Sequence, residues 1–232
     1  MKDLLLDIFR KQGLEADADA LCTYCDMLLE TNEVMNLTAI TEPREVAIRH
    51  FADSVALLGV MDFSGKRVID VGCGAGFPGL PLRLAEKSIS LTLLDALQKR
   101  ISFLGEVCAA LALDDVECVH ARAEELAAND VYRESFDIAV SRAVADLSML
   151  CELTLPFVKV GGAFVAMKAA DCDEELRAAE NAMKTLGGEL QARIDYPLYD
   201  TGITHTALII RKTNKTPGKY PRRFAKIKSK PL

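Results

Sequence analysis

No stretch of the 232 residues approaches the ~20 consecutive apolar residues that a membrane-spanning helix requires. The first ten residues alternate charge with leucine too often for a secretory signal, so the sequence predicts a soluble, cytoplasmic protein with no membrane partner. Low-complexity segments and internal repeats are absent. Cys22 and Cys25 form a C-x-x-C, but no second pair exists to complete four zinc ligands; the seven scattered cysteines read as reduced thiols. There is no Ser/His/Asp set, histidine cluster or metal-ligand spacing, which argues against a nucleophilic triad and against a metal. Of only three histidines, His120 and His205 fall in strand patterns and read as structural residues.

The last absence is of acid. Residues 211–232 carry nine Lys or Arg and no Asp or Glu, which leaves 19 of the 28 bases against all 34 acids, a net charge of −15, in residues 1–210. An acidic body with a basic ending points either to a polyanion engaged locally or to a solvated tail. Tyr220 and Phe224, interleaved with the bases, add faces on which nucleobases can stack.

What the chain does have, besides enough apolar residues for one full core, is the run from Lys66 to Pro81. The β-branched Val68, Ile69 and Val71 lead into glycines at 72, 74, 76 and 79 and then into an apolar segment, a strand, tight turn and helix of the nucleotide-binding kind. Glycine serves there because φ > 0 costs it little and because a missing Cβ lets a cofactor lie against the backbone. The spacing permits two cofactors. Gly74, Gly76 and Gly79 satisfy the dinucleotide pattern, whereas Asp70, Gly72, Gly74 and Gly76 satisfy D-x-G-x-G-x-G, the pattern of S-adenosylmethionine-dependent methyltransferases. The acid two positions before the first glycine favours the second.

Helices are predicted over 2–12, about 17–35 and onward from Pro43, the last capped by Thr41. Residues 1–60 read as a helical appendage, 61–212 as a Rossmann-like α/β domain and 213–232 as a basic arm. Within 61–212 strands and helices alternate, as in a parallel sheet, until two last strands, about 189–198 and 203–211, with no helix between them. The fold class is therefore α/β, a mostly parallel seven-stranded sheet ending in an antiparallel hairpin, as in class I methyltransferases.

Ligands of such sheets bind beyond the C-terminal strand ends. Asp95, 19 residues after Gly76, is placed to accept ribose hydroxyls, or else to form a capping box with Gln98. Ala123 and Glu124 follow the third strand, where an adenine ring would sit, and Arg142 ends the fourth. His50 and Asp53, three apart on a helix, share a face and either orient a substrate or form a surface hydrogen bond.

Asn36-Leu37-Thr38-Ala39-Ile40, Arg49-His50 with Asp53-Ser54, the turn from Asp70 to Gly79, Asp95 with Lys99-Arg100, Ala123-Glu124 and Ser141-Arg142-Ala143 together resemble the ribosomal RNA small-subunit methyltransferase G family, also called glucose-inhibited division protein B. The likeness covers nearly the whole chain. Cys73 in place of the common Ser, and Ala169 in place of Gly, depart from it. The resemblance implies an enzyme that methylates N7 of a guanosine in 16S rRNA of the small subunit, with S-adenosyl-L-methionine as cofactor; the expected partner is 16S rRNA or the small ribosomal subunit, and the protein is expected to be monomeric. It implies cofactor contacts at Gly72, Phe77, Ala123, Glu124 and Arg142, to which the turn and the strand-end placement add Asp70, Gly74, Gly76 and Asp95. Asn36, His50, Asp53 and Lys168 are the candidate guanine-pocket residues, and Lys219, Arg222, Arg223, Lys226, Lys228 and Lys230 the candidate RNA contacts. No catalytic base is expected, because N7 carries no proton. The other readings are a methyltransferase of another substrate, an NAD-dependent oxidoreductase and a non-catalytic RNA-binding protein.

Overall fold

A computed structural model describes all residues except 12, 14–16 and 143. Gln12, at the end of the first predicted helix, and Ala143, in the Ser-Arg-Ala run, therefore lie outside the described residues. Helices α1 (Lys2–Lys11) and α2 (Ala18–Asn32) come first; Asp17 caps α2 by accepting from the Ala20 amide. A second helical stretch then changes pitch three times, through α3 (Pro43–Val46), a π-helical turn over Ala47–Ala52, α4 (Asp53–Val55) and a 3₁₀ turn over Ala56–Gly59. Its cap is Glu42 rather than the expected Thr41: the longer side chain folds back so that Oε2 accepts from the Glu45 amide at 2.8 Å.

The alternating part follows as β1 (Arg67–Val71), α5 (Gly79–Ala85), β2 (Ser90–Asp95), α6 (Gln98–Ala110), β3 (Glu117–His120), α7 (Ala123–Leu126), β4 (Phe136–Arg142), α8 (Leu147–Thr154), β5 (Val158–Ala169), α9 (Asp173–Thr185), β6 (Gly188–Pro197) and β7 (Thr204–Lys212). The seven strands lie in the order β3-β2-β1-β4-β5-β7-β6, with β7 antiparallel to both neighbours and the rest parallel. This is the sheet expected of a class I methyltransferase. From Val68 to Val71 the residues of β1 are buried, as a strand covered on both faces must be. The order reverses between β1 and β4, and there a crevice opens at the strand ends.

Each face of the sheet has its own hydrophobic cluster. On one, Leu5, Phe9, Tyr24, Leu28 and Phe51 of the N-terminal helices interleave with Val68, Leu91, Val140 and Val165, so the first sixty residues share the core of the strands. On the other, Ile69, Ala139 and Phe164 pack with Leu147, Cys151 and Met183 of the helices and with Tyr220 of the C-terminal segment. That segment is bound to the body. Arg133 donates to the Thr216 and Tyr220 carbonyls, Arg222 pairs with the fully buried Glu152, and α10 (Phe224–Ser229) buries Ile227.

Candidate cofactor and substrate site

The loop after β1 is shaped by three glycines for three reasons. Gly72 has φ +73°, and a Cβ there would come within 2.6 Å of Val144; Gly76 has φ +103°, and a Cβ would come within 2.5 Å of the Tyr24 hydroxyl. Gly74, at φ +59°, has open space where a Cβ would stand, and it lines the cavity. Tyr24, from α2, donates to the Ala75 carbonyl and holds the loop from behind. Asp95, at the end of β2, accepts from the Gly74 amide at 3.0 Å, from Leu97 at 2.8 Å and from Arg100 at 3.2 Å. It thus fixes the loop, and the capping box with Gln98 does not form; Gln98 instead donates to Ser102.

The loop forms one wall of a cavity of about 870 Å³, within the ordinary range for small-molecule sites, roughly 300–1,000 Å³. Asp95–Leu97 and Ala121–Glu124 line it on the β2–β3 side; Leu198, Ile203 and His205 line it on the side of β6 and β7, together with Thr38, Arg49, His50 and Asp53. Phe224 of α10 also lines it, with the Arg122 guanidinium 5.6 Å from its ring centre.

Arg142 ties the second side together. Nη1 donates to Asp53 and to the Arg49 carbonyl, both at 2.9 Å, and Nη2 donates to His50 Nδ1 at 3.0 Å. Asp53, 1% exposed, also accepts from Tyr196 at 3.0 Å and lies 2.8 Å from His205 Nδ1. Although burial alone would raise it, the His205 hydrogen bond and the Arg142 charge hold the Asp53 carboxyl below its usual range. The same hydrogen bond raises His205. Phe77 completes the cluster, stacking with His50 at 4.5 Å and with Tyr24 at 5.5 Å.

The model of rRNA small subunit methyltransferase G matches residues 17–195. The chain belongs to this family. A ribosomal RNA small subunit methyltransferase G of Alkaliphilus oremlandii is 49% identical over 239 residues, covering 100% of this chain and 99% of that protein; one of Clostridium perfringens strain SM101 is 43% identical, covering 99% and 98%. Among solved structures, a SAM-dependent methyltransferase from Aquifex aeolicus shares the fold at 14% identity with a TM-score of 0.56, over 75% of this chain and 96% of that one.

The chain distributes its expected site residues unevenly. Gly72, Gly74, Phe77, Asp95, Ala123, Glu124, Arg142, His50, Asp53 and Lys168 all line the cavity, a donor set and volume that fit S-adenosylmethionine. Asp70, Gly76 and Asn36 do not line it: Asp70 and Gly76 lie behind the loop, and Asn36 is exposed. Lys168 reaches Glu175 and the Ala145 carbonyl. Of the basic residues at the end, Arg222 is taken up by Glu152, while Lys219, Arg223, Lys226, Lys228 and Lys230 have no ion pair among the described residues. Sequence reasoning read His205 as a structural strand residue and gave Thr38 and Tyr196 no role of their own. The signal for His205 was strand periodicity: it stands two residues before Ala207, which packs on the face covered by the N-terminal helices.

Asp70 has a separate consequence for stability. Its Oδ2 accepts from the Gly79 amide at 2.8 Å, Oδ1 has no hydrogen-bond partner among the described residues, and burial pushes the carboxyl up to about 7. The folded state thus keeps a proton that the unfolded chain releases near pH 4, and stability falls as pH rises from there to about 7. Asp70→Asn has no such loss. Its melting temperature should rise relative to wild type between pH 4 and pH 8, and parallel thermal scans check this; a constant difference would exclude a buried, protonating Asp70.

Proposed function

We propose that the protein transfers a methyl group from S-adenosyl-L-methionine to N7 of a guanosine in 16S rRNA, by direct in-line attack without a general base. The observation that carries this reading is the state of the titratable side chains on the Thr38 and His205 side of the cavity. Asp53 is shared among Arg142, His205 and Tyr196, both nitrogens of His50 are engaged, and Lys168 is held by Glu175. Among the described residues there, only His205 Nε2 lacks a hydrogen-bond partner, so this side offers at most one proton acceptor. Guanine N7 requires none, since it offers an in-plane lone pair and carries no hydrogen.

When bound, S-adenosylmethionine supplies a methyl group on a positively charged sulfur. The chain supplies alignment, a contribution of roughly 7–11 kcal/mol at best. In this reading Gly72, Gly74, Phe77, Asp95, Ala123, Glu124 and Arg142 hold the cofactor, while Asp70 and Gly76 shape the loop from behind. His50, Asp53 and Lys168 frame the base. Lys219, Arg223, Lys226, Lys228 and Lys230, which have no ion pair among the described residues, meet RNA phosphates, and the relatives' name, ribosomal RNA small subunit methyltransferase G, supports that substrate.

The test is transfer of a labelled methyl group to small-subunit rRNA from cells lacking the modification, mapped by cleavage at N7-methylguanosine. A single labelled guanosine is expected; label elsewhere, or none, rejects the reading. The RNA interface is tested by Gln substitution of Lys226, Lys228 and Lys230 rather than by truncation, because Thr216, Tyr220 and Ile227 are buried. Each phosphate deprived of its lysine should flatten the salt dependence of log affinity by roughly 0.7–0.9. An unchanged slope removes α10 from the RNA interface.

A further inference from the structure

The hydrogen bonds around His50 have a fixed direction, and they leave one hydrogen in the cavity without an acceptor. Arginine has only N–H donors, so Arg142 Nη2, 3.0 Å from His50 Nδ1, makes that nitrogen an acceptor. Burial, with the guanidinium beside it, pushes the imidazole down to about 3; the ring is neutral and its one hydrogen sits on Nε2. Nε2 lies 2.9 Å from Thr38 Oγ1 and donates to it. The Ile40 amide, 3.0 Å away, donates to the same oxygen. Both acceptor positions of the hydroxyl are then filled, and its own hydrogen meets no acceptor among the described residues.

Thr38 is held rigidly where it stands. Asn32 Oδ1 accepts from the Leu37 and Thr38 amides at 2.8 and 2.9 Å, which ties the segment to the end of α2. Thr38 lines the cavity with His50, Leu198 and Ile203. The sheet order separates this side, built on β4 and the β6–β7 hairpin, from the β2–β3 side that carries Asp95 and Ala121–Glu124. A base reaching the loop from the Thr38 side would meet a hydroxyl that can only donate.

On the edge that carries N7, guanine offers the O6 acceptor beside it, whereas adenine offers an N6 amino donor. N7 must itself stay free of hydrogen bonds, because its lone pair makes the attack. We propose that Thr38 donates its hydroxyl hydrogen to O6 of the target base and is the residue by which the site accepts guanine and rejects adenine. This rests on the guanine-N7 reading above.

The experiment uses the full-length protein and small-subunit rRNA assembled by ligation, with guanosine, 2-aminopurine riboside or 7-deazaguanosine at the mapped position. 2-Aminopurine lacks O6 and keeps N7. Thr38→Val should lose about 10-fold in kcat/KM on guanosine, the scale of one hydrogen bond, while Thr38→Ser stays within about 2-fold of wild type. On 2-aminopurine, wild type and Thr38→Val should be equal, and cofactor affinity should be the same in both. The proposal is overturned if Thr38→Val matches wild type on guanosine, if it falls equally on both bases, as a merely positioning role for His50 would dictate, or if its defect is in cofactor binding. Wild-type methylation of the 7-deazaguanosine substrate would instead sink the N7 reading, and the proposal with it.

Discussion

Arg222→Ala is expected to lose about 3–5 kcal/mol of stability, because it leaves a carboxylate buried without its cation. Glu152, on α8, is 0% exposed; Oε1 accepts from the Arg222 amide and Nε at 2.8 Å, and Oε2 accepts from Nη2 at 2.6 Å. The amide survives the substitution and the fork does not. Lysine cannot replace it, since an ammonium lacks the two parallel donors. For a chain of this size the loss corresponds to a fall in melting temperature of roughly 6–20 °C. Arg222→Met combined with Glu152→Met removes charge and partner together and should recover most of it. Calorimetry of wild type, single and double variants checks this: equal losses in the single and double variants would mean that the carboxylate was never the cause. Because Arg222 stands two residues before Phe224, cofactor affinity should fall in the single variant as well.

Asp53→Ala should lower kcat/KM for methyl transfer by about 100-fold, the scale of a small displacement of aligned groups. It takes away the acceptor shared by Arg142, His205 and Tyr196, so Arg142 keeps the Arg49 carbonyl, His50 and the face of the Phe77 ring. Asp53→Asn retains oxygen toward one of the two sides and should fall between alanine and wild type. The stability effect has its own pH signature. His205 is raised by the Asp53 hydrogen bond, so its contribution is full below its usual pKa and is lost as pH rises through the raised one. Asp53 is lowered, so its contribution is present above the usual carboxylate pKa and is lost as pH falls through the lowered one. The gap between wild type and Asp53→Ala should be widest between about pH 4 and 6.5 and should narrow at higher pH. A gap independent of pH would separate His205 from Asp53.

The α/β alternation and the terminal hairpin were legible because parallel strands are apolar throughout and because two strands without an intervening helix must turn back on each other. The glycine turn was legible as a turn, but its division of labour was not. Gly74 opens toward the cavity, whereas Gly76 makes room for Tyr24, about fifty residues earlier in the chain, and only tertiary structure brings the two together. The basic ending read as a charged tail because its charge is local in sequence and its anchors are not: Glu152, Glu134 and Arg133 lie elsewhere in the chain. His50 and Asp53 were visible as a pair. Arg142, which joins them, comes from a strand end about ninety residues away.

The π-helical turn over Ala47–Ala52 amounts to one residue more than an α-helix would use over the same rise, and such turns recur at functional sites. The wider turn absorbs that residue locally, so the helical segments on either side keep nearly the register that an uninterrupted α-helix would give them. What the extra residue changes is the direction of the side chains within the turn, His50 and the Arg49 carbonyl that meets Arg142 among them. Removing one of the six would leave the buried Val46 in place and redirect these groups, so the damage would fall on the cavity wall rather than on the core.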